Sequence, residues 1–471
     1  MTNGFKKEKL TNTLKNYNMK FKVTLIISFF ALFIANAQNE ECLEKLSIFT
    51  ESAKIKNYDA AYEPWMLVRK QCPKLNNAIY VYGEKILKHK IDKAAESEKT
   101  AFTNDLIALY KESMLNMPNK FPVGKTEAKM AQLMYDKKIG TKENQFNTFD
   151  SAFKKDAKSF TNPKSLYTYF KLMVGLYDNK TKDFQELVDL YTTVTDKVES
   201  EQKNYSGKKD ALLIKEENGS ITSKEKKRLK SYTSYSTAYH QISGGIDKDL
   251  GDRANCDKLV PLFEKNFEAN KTNVAWLKKA ASRLAGKDCD DDPLFVKLVE
   301  TFHEINPSAN SAYYLGRLNE KKNATTEAEK YYNESANLHT EGFEKAKLYY
   351  RLAVMSKKRG AKSKSYNYAR KTLAAQPSFG KAYLLISSLY ASSANNCGTT
   401  QFNKRAVYWL AANMAEKAGK VNGSLKKSAA KTATSYKAKA PSKEMIFSEG
   451  MAGKKVAIGC WINKSVTVPN I

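Results

Sequence analysis

The sequence predicts an all-α chain of helical hairpins stacked as a solenoid, ending in a short C-terminal β-hairpin. Three observations predict it. One order of large and small residues recurs from Ala309 to Tyr390, with successive starts at Ala309, Ala346 and Gly380. Apolar residues elsewhere recur at helical spacing, and 11 prolines with 21 glycines in 471 residues are too few for a turn-rich β plan. Only the last thirty residues alternate in the manner of strands.

The repeat is legible position by position. Counting Ala309 as 1, Leu315 and Gly316 fall at 7 and 8, Ala328 at 20, Tyr332 at 24 and Ser335 at 27. From Ala346, Leu352 and Ala353 fall at 7 and 8, Ser365 at 20, Ala369 at 24 and Pro377 at 32. From Gly380, Tyr383, Ile386, Ser387 and Tyr390 fall at 4, 7, 8 and 11. Small residues at 8 and 20 let two antiparallel helices approach closely. Large ones at 4, 7, 11 and 24 fill the space between units, and a proline at 32 stops the second helix. A unit of about 34 residues in this order resembles the tetratricopeptide repeat.

The chain starts with a different signature. Lys20 and Lys22 precede an uncharged apolar run from Val23 to Ile34, and Ala35-Asn36-Ala37 sets small residues before Gln38. This is the pattern of a cleaved export signal over residues 1–37, with Met19 as the expected true start. The run is short for a membrane span. No cysteine follows the expected cut directly, which argues against a lipoprotein.

All six cysteines lie beyond that cut, and an even number in an exported chain favours disulfides. Cys42 and Cys72 are 30 residues apart and Cys256 and Cys289 are 33 apart, each near one repeat length. In an antiparallel hairpin the first residue of one helix lies beside the last of its neighbour, so each pair is expected to clip one hairpin. Cys397 and Cys460 remain as the third pair. No C-x-x-C motif supports zinc ligation instead.

Residues 38–125 are expected to hold the first hairpins. With Cys42 at position 1, Ala61 falls at 20, Trp65 at 24 and Pro73 at 32. Over 126–250 the register is lost while helical periodicity persists. Asn162 before Pro163 predicts a cap, with apolar stripes behind it from Leu166 to Tyr177 and Phe184 to Val194. Residues 203–230, polar and charged, are expected to form a loop or a helix–loop insertion on the convex side and to be protease-sensitive. The register returns across 251–420. Asp288, Asp290, Asp291 and Asp292 lack the twelve-residue calcium-loop pattern, and Asp292 before Pro293 reads as a helix cap. In 421–471, a basic helix from Leu425 to Tyr436 precedes a β-hairpin of Val456–Ile462 and Val466–Val468 turning at Asn463-Lys464-Ser465.

The formal charge is +29, which suits acidic partners. His89, His240, His303 and His339 lie far apart, none with a second ligand at i+3 or i+4, and no nucleophile elbow, Walker loop or dinucleotide fingerprint occurs. No enzyme activity and no cofactor is expected.

The resemblance implies a site. In tetratricopeptide solenoids the first helix of each unit lines the concave face. The inward positions here are Asn310, Tyr313, Arg317 and Lys321, then Lys347, Tyr350, Lys357 and Lys358, then Lys381. The resemblance implies a protein partner, an extended or helical segment of acidic character, in this groove. The stretch from Tyr383 to Cys460-Trp461 is similar to exported repeat proteins of Bacteroidota. That implies a periplasmic scaffold or adaptor on an outer-membrane or secretion assembly. An envelope glycan or lipopolysaccharide is the alternative partner; nucleic acid is not expected in an exported chain.

Overall fold

The computed structural model describes residues 40–470, so the export signal lies outside the described residues. The chain divides into two compact units, the first ending at Ser165 and the second beginning at Leu166.

The first unit is three helical hairpins. They are α1 (residues 40–54) with α2 (Tyr58–Gln71), α3 (Ala78–Lys93) with α4 (Glu96–Asn116), and α5 (Val123–Asp136) with α6 (Lys142–Asp156). Asn57 and Thr141 start α2 and α6 by accepting backbone N–H groups of Ala60 and Asn144. Phe49, Trp65, Ile79, Ile86, Leu87 and Leu106 fill one core. Trp65 is fully buried, and its indole N–H donates to the Ile79 carbonyl at 2.7 Å. Gly83 faces its ring, where a Cβ would stand 2.7 Å from the indole.

Helix α7 (Pro163–Asp178) opens on the expected cap, with Ser165 N–H donating to Asn162 at 3.0 Å. After α7, most of which belongs to the second unit, come two long helices, α8 (Phe184–Glu217) and α9 (Ser223–Leu250), each opened by a capping box. After α10 (Cys256–Asn270) come four hairpins: α11 (Val274–Gly286) with α12 (Pro293–Ile305), α13 (Ala309–Lys321) with α14 (Thr325–Leu338), α15 (Gly342–Lys358) with α16 (Lys362–Ala375), and α17 (Gly380–Ala391) with α19 (Gln401–Val421). The short α18 (Ala394–Cys397) interrupts the last of these, and α20 (Lys426–Lys437) and α21 (Lys443–Ser448) follow.

These hairpins follow the repeat read in the sequence, and the small residues do what their positions require. Gly316 lies flat against the Tyr332 ring, where a Cβ would come within 2.6 Å. Ser365 and Ser387 are fully buried and donate to the Ala353 and Ala411 carbonyls at 2.7 and 2.5 Å across their hairpins. A small side chain permits the approach, and its buried hydroxyl finds an acceptor in a carbonyl of the facing helix. Asp292 caps α12 by accepting the Leu294 N–H at 2.8 Å, with Pro293 at the first helical position.

The three disulfides form as paired: Cys42–Cys72, Cys256–Cys289 and Cys397–Cys460, with Cα separations of 6.4, 5.5 and 5.2 Å. The terminal hairpin is β1 (Lys455–Ile458) against β2 (Lys464–Thr467), with Val456 opposite Val466. Its turn differs from expectation. Cys460 and Trp461 sit in the connection from Gly459 to Asn463, not in the first strand. Gly459 N–H donates to the Cys397 carbonyl, which brings Cys460 beside its partner. Trp461 then lies against Tyr366 and Tyr390 and donates to Ser393 Oγ at 3.2 Å.

The segment 203–230 takes the second of its expected forms: it is the end of α8, a turn at 218–222 and the start of α9. It packs against the start of α15, the turn into α17 and the end of α19. No described helix is long and apolar enough to cross a membrane.

Candidate functional site

Helix α8 has 34 residues, about 50 Å at 1.5 Å per residue. One face carries Asp189, Thr192, Asp196, Glu199, Lys203, Ser206, Asp210, Leu213 and Glu217. They are spaced alternately by three and four residues, which keeps them in one nearly straight stripe. The stripe meets the array along its whole length.

At the N-terminal end, Asp189 pairs with Lys279 of α11 at 2.5 Å. Arg283 of the same helix donates to Thr192 Oγ1 at 3.0 Å and reaches Asp196 at 3.1 Å. Glu199 pairs with Lys347 of α15, and Lys203 with Glu341 just before α15 at 3.5 Å. Ser206 Oγ accepts from Gln376 Nε2 at 2.6 Å, and Asp210 accepts the Ser378 backbone N–H at 2.7 Å. Leu213 lines a small cavity of about 130 Å³ with Pro377, Tyr383 and Val421. At the far end Glu216 and Glu217 pair with Lys420 and Lys417 of α19, both at 3.2 Å.

The middle contacts outweigh the ends. Half-exposed ion pairs contribute up to about 1 kcal/mol each. Ser206, Gln376 and Ser378 are buried, and a buried group that loses its partner costs about 1–3 kcal/mol. Burial pushes the Asp210 carboxyl above its usual range, against the opposing pull of Ser378 and Lys209. Burial also lowers the Lys209 ammonium, with Asp210 opposing. Burial would raise the Glu199 carboxyl too, but Lys347 outweighs it and the group titrates below the ordinary value. Behind α8, α9 brings Thr233 and Thr237 against Gly423, where a Cβ would stand 2.6 Å from Thr237 Oγ1.

The residues expected to line the groove fall into three groups. Lys347 faces α8, held by Glu199 and, at 3.5 Å, Glu344. Arg317, Lys321 and Lys357 tie one hairpin to the next. Arg317 pairs with Asp290 and Asp288, and Lys321 with Asp290 and Asp291 at 3.2 and 3.3 Å. Lys357 donates to Ser388 Oγ at 2.9 Å. Tyr313 and Tyr350 pack in ring contacts, Tyr313 with Tyr314 and Tyr332, Tyr350 with Phe379. The side chains of Asn310, Lys358 and Lys381 make no hydrogen bond or ion pair among the described residues; Lys381 bears on His240 of α9 through its charge.

The sequence reading missed α8. Its signal was the three-and-four spacing of acids and hydroxyls from Asp189 to Glu217, hidden because the segment was divided at residue 203 by composition. The four acids before α12 are likewise spent on capping and on Arg317 and Lys321. Among the described residues no group of three or more His, Cys, Asp or Glu stands close enough to hold a metal ion.

No protein-family model matches the chain, and no curated protein matches it. Among solved structures it is similar to the MamA protein, at 19% identity and a TM-score of 0.27 over 43% of this chain and 90% of that one. It is similar to a tetratricopeptide repeat protein from Parabacteroides merdae, at 12% and 0.24 over 66% and 97%. It is also similar to yeast Tom70, at 10% and 0.30 over 88% and 89%. Likenesses this loose say nothing of function. The tetratricopeptide-like character of the chain rests on its own helix packing.

Proposed function

We propose that this chain is an exported scaffold or adaptor that binds another protein, in the periplasm and on an outer-membrane or secretion assembly. It is a binder, not an enzyme. The observation that carries the reading is α8 itself. The second unit holds an acidic, hydroxyl-bearing helix through lysines and an arginine from three of its four hairpins. A surface that reads one helix by charge spacing suits reading another. Three disulfides fit an oxidising compartment outside the cytoplasm. The groove residues with spare capacity for a partner are Asn310, Lys358 and Lys381.

The test is crosslinking in intact cells, then purification of the tagged chain from the envelope. A stoichiometric protein partner is expected, and the mature chain should begin at Gln38. Recovery of the chain alone, or a cytoplasmic chain with reduced cysteines, overturns the reading.

One observation favours the alternative, an envelope glycan or lipopolysaccharide. The head of α9 exposes Lys224, Lys226, Lys227, Arg228 and Lys230, and α20 exposes Lys426, Lys427 and Lys431. None of the eight has an ion-pair partner among the described residues. Salt-sensitive retention on purified lipopolysaccharide, lost on reversing the α9 cations, would support it.

A further inference from the structure

The first unit has a cleft on its first-helix side that none of the described residues fills. It holds about 380 Å³ between the starts of α3 and α5, with α4 beneath. That is within the range of small binding pockets, about 300–1,000 Å³. All of its lining lies between Asn77 and Lys129, so the site belongs wholly to the first unit.

The floor is aromatic and apolar. Tyr80, Leu109 and Tyr110 are buried there, Phe121 is half-buried with its ring 5.4 Å from that of Tyr80, and Val81 is 41% exposed at the edge. The rim is cationic. Lys85, Lys120 and Lys125 are exposed and have no carboxylate partner among the described residues. Glu84 is the one carboxylate of the lining, and two lysines already match it, Lys88 and Lys129, both at 2.7 Å. The cleft therefore presents three positive charges without a carboxylate around an apolar seat, Lys85 lying also over the Tyr82 ring at 5.0 Å.

The chain itself shows what such a surface takes. In the second unit the corresponding place, the start of α15 and the turn into α17, is occupied by α8. Glu199 meets Lys347, and Asp210 meets the Ser378 N–H. We propose that the cleft between α3 and α5 docks an acidic segment of a partner protein. One large apolar side chain of the partner sits on Tyr80, Leu109, Tyr110 and Phe121, and its flanking carboxylates meet Lys85, Lys120 and Lys125. This rests on the scaffold reading and names the site within it. An apolar anchor gives such a contact its depth, and the charges set register and partner choice.

The test uses the full chain and a fluorescein-labelled synthetic peptide carrying Asp and Glu at the three-and-four spacing of α8 around a single Phe. Its control replaces the acids by Asn and Gln. The acidic peptide should bind. The triple variant Lys85→Glu, Lys120→Glu, Lys125→Glu should weaken it by about tenfold or more, while Lys93→Glu with Lys142→Glu, at exposed positions outside the lining, should leave it unchanged. A benzophenone at the peptide's Phe should crosslink within residues 77–129 of the unaltered chain, a readout that needs no variant to fold. No binding, equal binding of the amide control, or crosslinks confined to the second unit each overturn the proposal. The scaffold reading fails separately. If the envelope partner is captured equally by the triple variant, the cleft proposal falls and the scaffold stands; if no partner is captured at all, the scaffold reading falls whatever the peptide does.

Discussion

The backbone N–H of Ser378, at the turn into α17, donates to the Asp210 carboxylate of α8 at 2.7 Å. The two residues are 168 apart in sequence, and Ser378 is 3% exposed. Here a carboxylate from another helix accepts an N–H just ahead of a helix start, where no preceding turn supplies a carbonyl. Asp210→Ala should expose α8 by leaving that N–H buried and unpaired, at about 1–3 kcal/mol. Asp210→Asn should cost much less, for two reasons. Its amide oxygen still accepts, and burial already raises the Asp210 carboxyl toward its neutral form. Hydrogen exchange along 184–217 separates the two outcomes; equal loss of protection in both variants would rule out this role.

The same interface should weaken in mild acid. His339, before α15, is held below the usual histidine value first by burial, then by Lys347, Lys203 and Lys278 against the opposing Glu344. A histidine depressed in the folded state contributes stability that is complete above about pH 6.5 and is lost as pH falls through the folded value. Glu199 is also depressed, so its contribution is lost only at lower pH, below the ordinary carboxylate range. His339→Gln should therefore flatten the decline in melting temperature between pH 7 and 5 while leaving the steeper loss in stronger acid. An unchanged slope would assign the effect elsewhere.

The two long helices mark the limit of what could be read from the chain. The hairpins at 309–390 are legible because each unit must pack on a copy of itself, so Gly316, Ser365 and Tyr332 recur in register. Cys42–Cys72 and Cys256–Cys289 are legible because the length of two paired helices sets the spacing of their ends; Cys397–Cys460 was legible only as the pair left over. Helix α8 packs across several units at once, so no repeat constrains it. Its contacts are polar, and polar residues in a row read equally well as a loop. Groove residues inferred from repeat positions alone had the same weakness. Position gives direction, but the carboxylates that meet Arg317 and Lys321 come from the acids before α12. The turn at Cys460 was misplaced for a related reason, since alternation cannot show that a residue leaves the strand to reach a cysteine 63 residues away.

The packing at repeat position 8 gives a paired prediction. A Cβ on Gly316 would stand 2.6 Å from the Tyr332 ring, and one on Gly175 of α7 would meet nothing within 4 Å. Alanine gains about 1 kcal/mol over glycine in a helix interior. Overpacking a tight core costs about 1–3 kcal/mol. Gly175→Ala should therefore raise the melting temperature slightly, and Gly316→Ala should lower it. If both shift the same way, the close approach of α13 and α14 is looser than described.

The terminal β-hairpin is held in two ways, and their relative size decides what breaks it. Val456, Ile458, Ile462, Val466 and Val468 are each at most 6% exposed and share one core with Leu385, Ile386 and Tyr390. Burying a large aliphatic side chain contributes about 1.5–3 kcal/mol, so the five together exceed the about 2–4 kcal/mol expected of the Cys397–Cys460 bridge. Cys397→Ser with Cys460→Ser should leave the hairpin docked at room temperature but lower the denaturant midpoint. Val466→Asp should undock it with the bridge intact, because an ionised carboxylate has no partner in that core. Trp461, beside Tyr366 and Tyr390, reports the difference. Its emission, taken as the difference from a Trp461→Phe background, should stay unshifted in the serine pair and move to the red in Val466→Asp. The reverse order would make the bridge, not the apolar face, the principal restraint on the end of the chain.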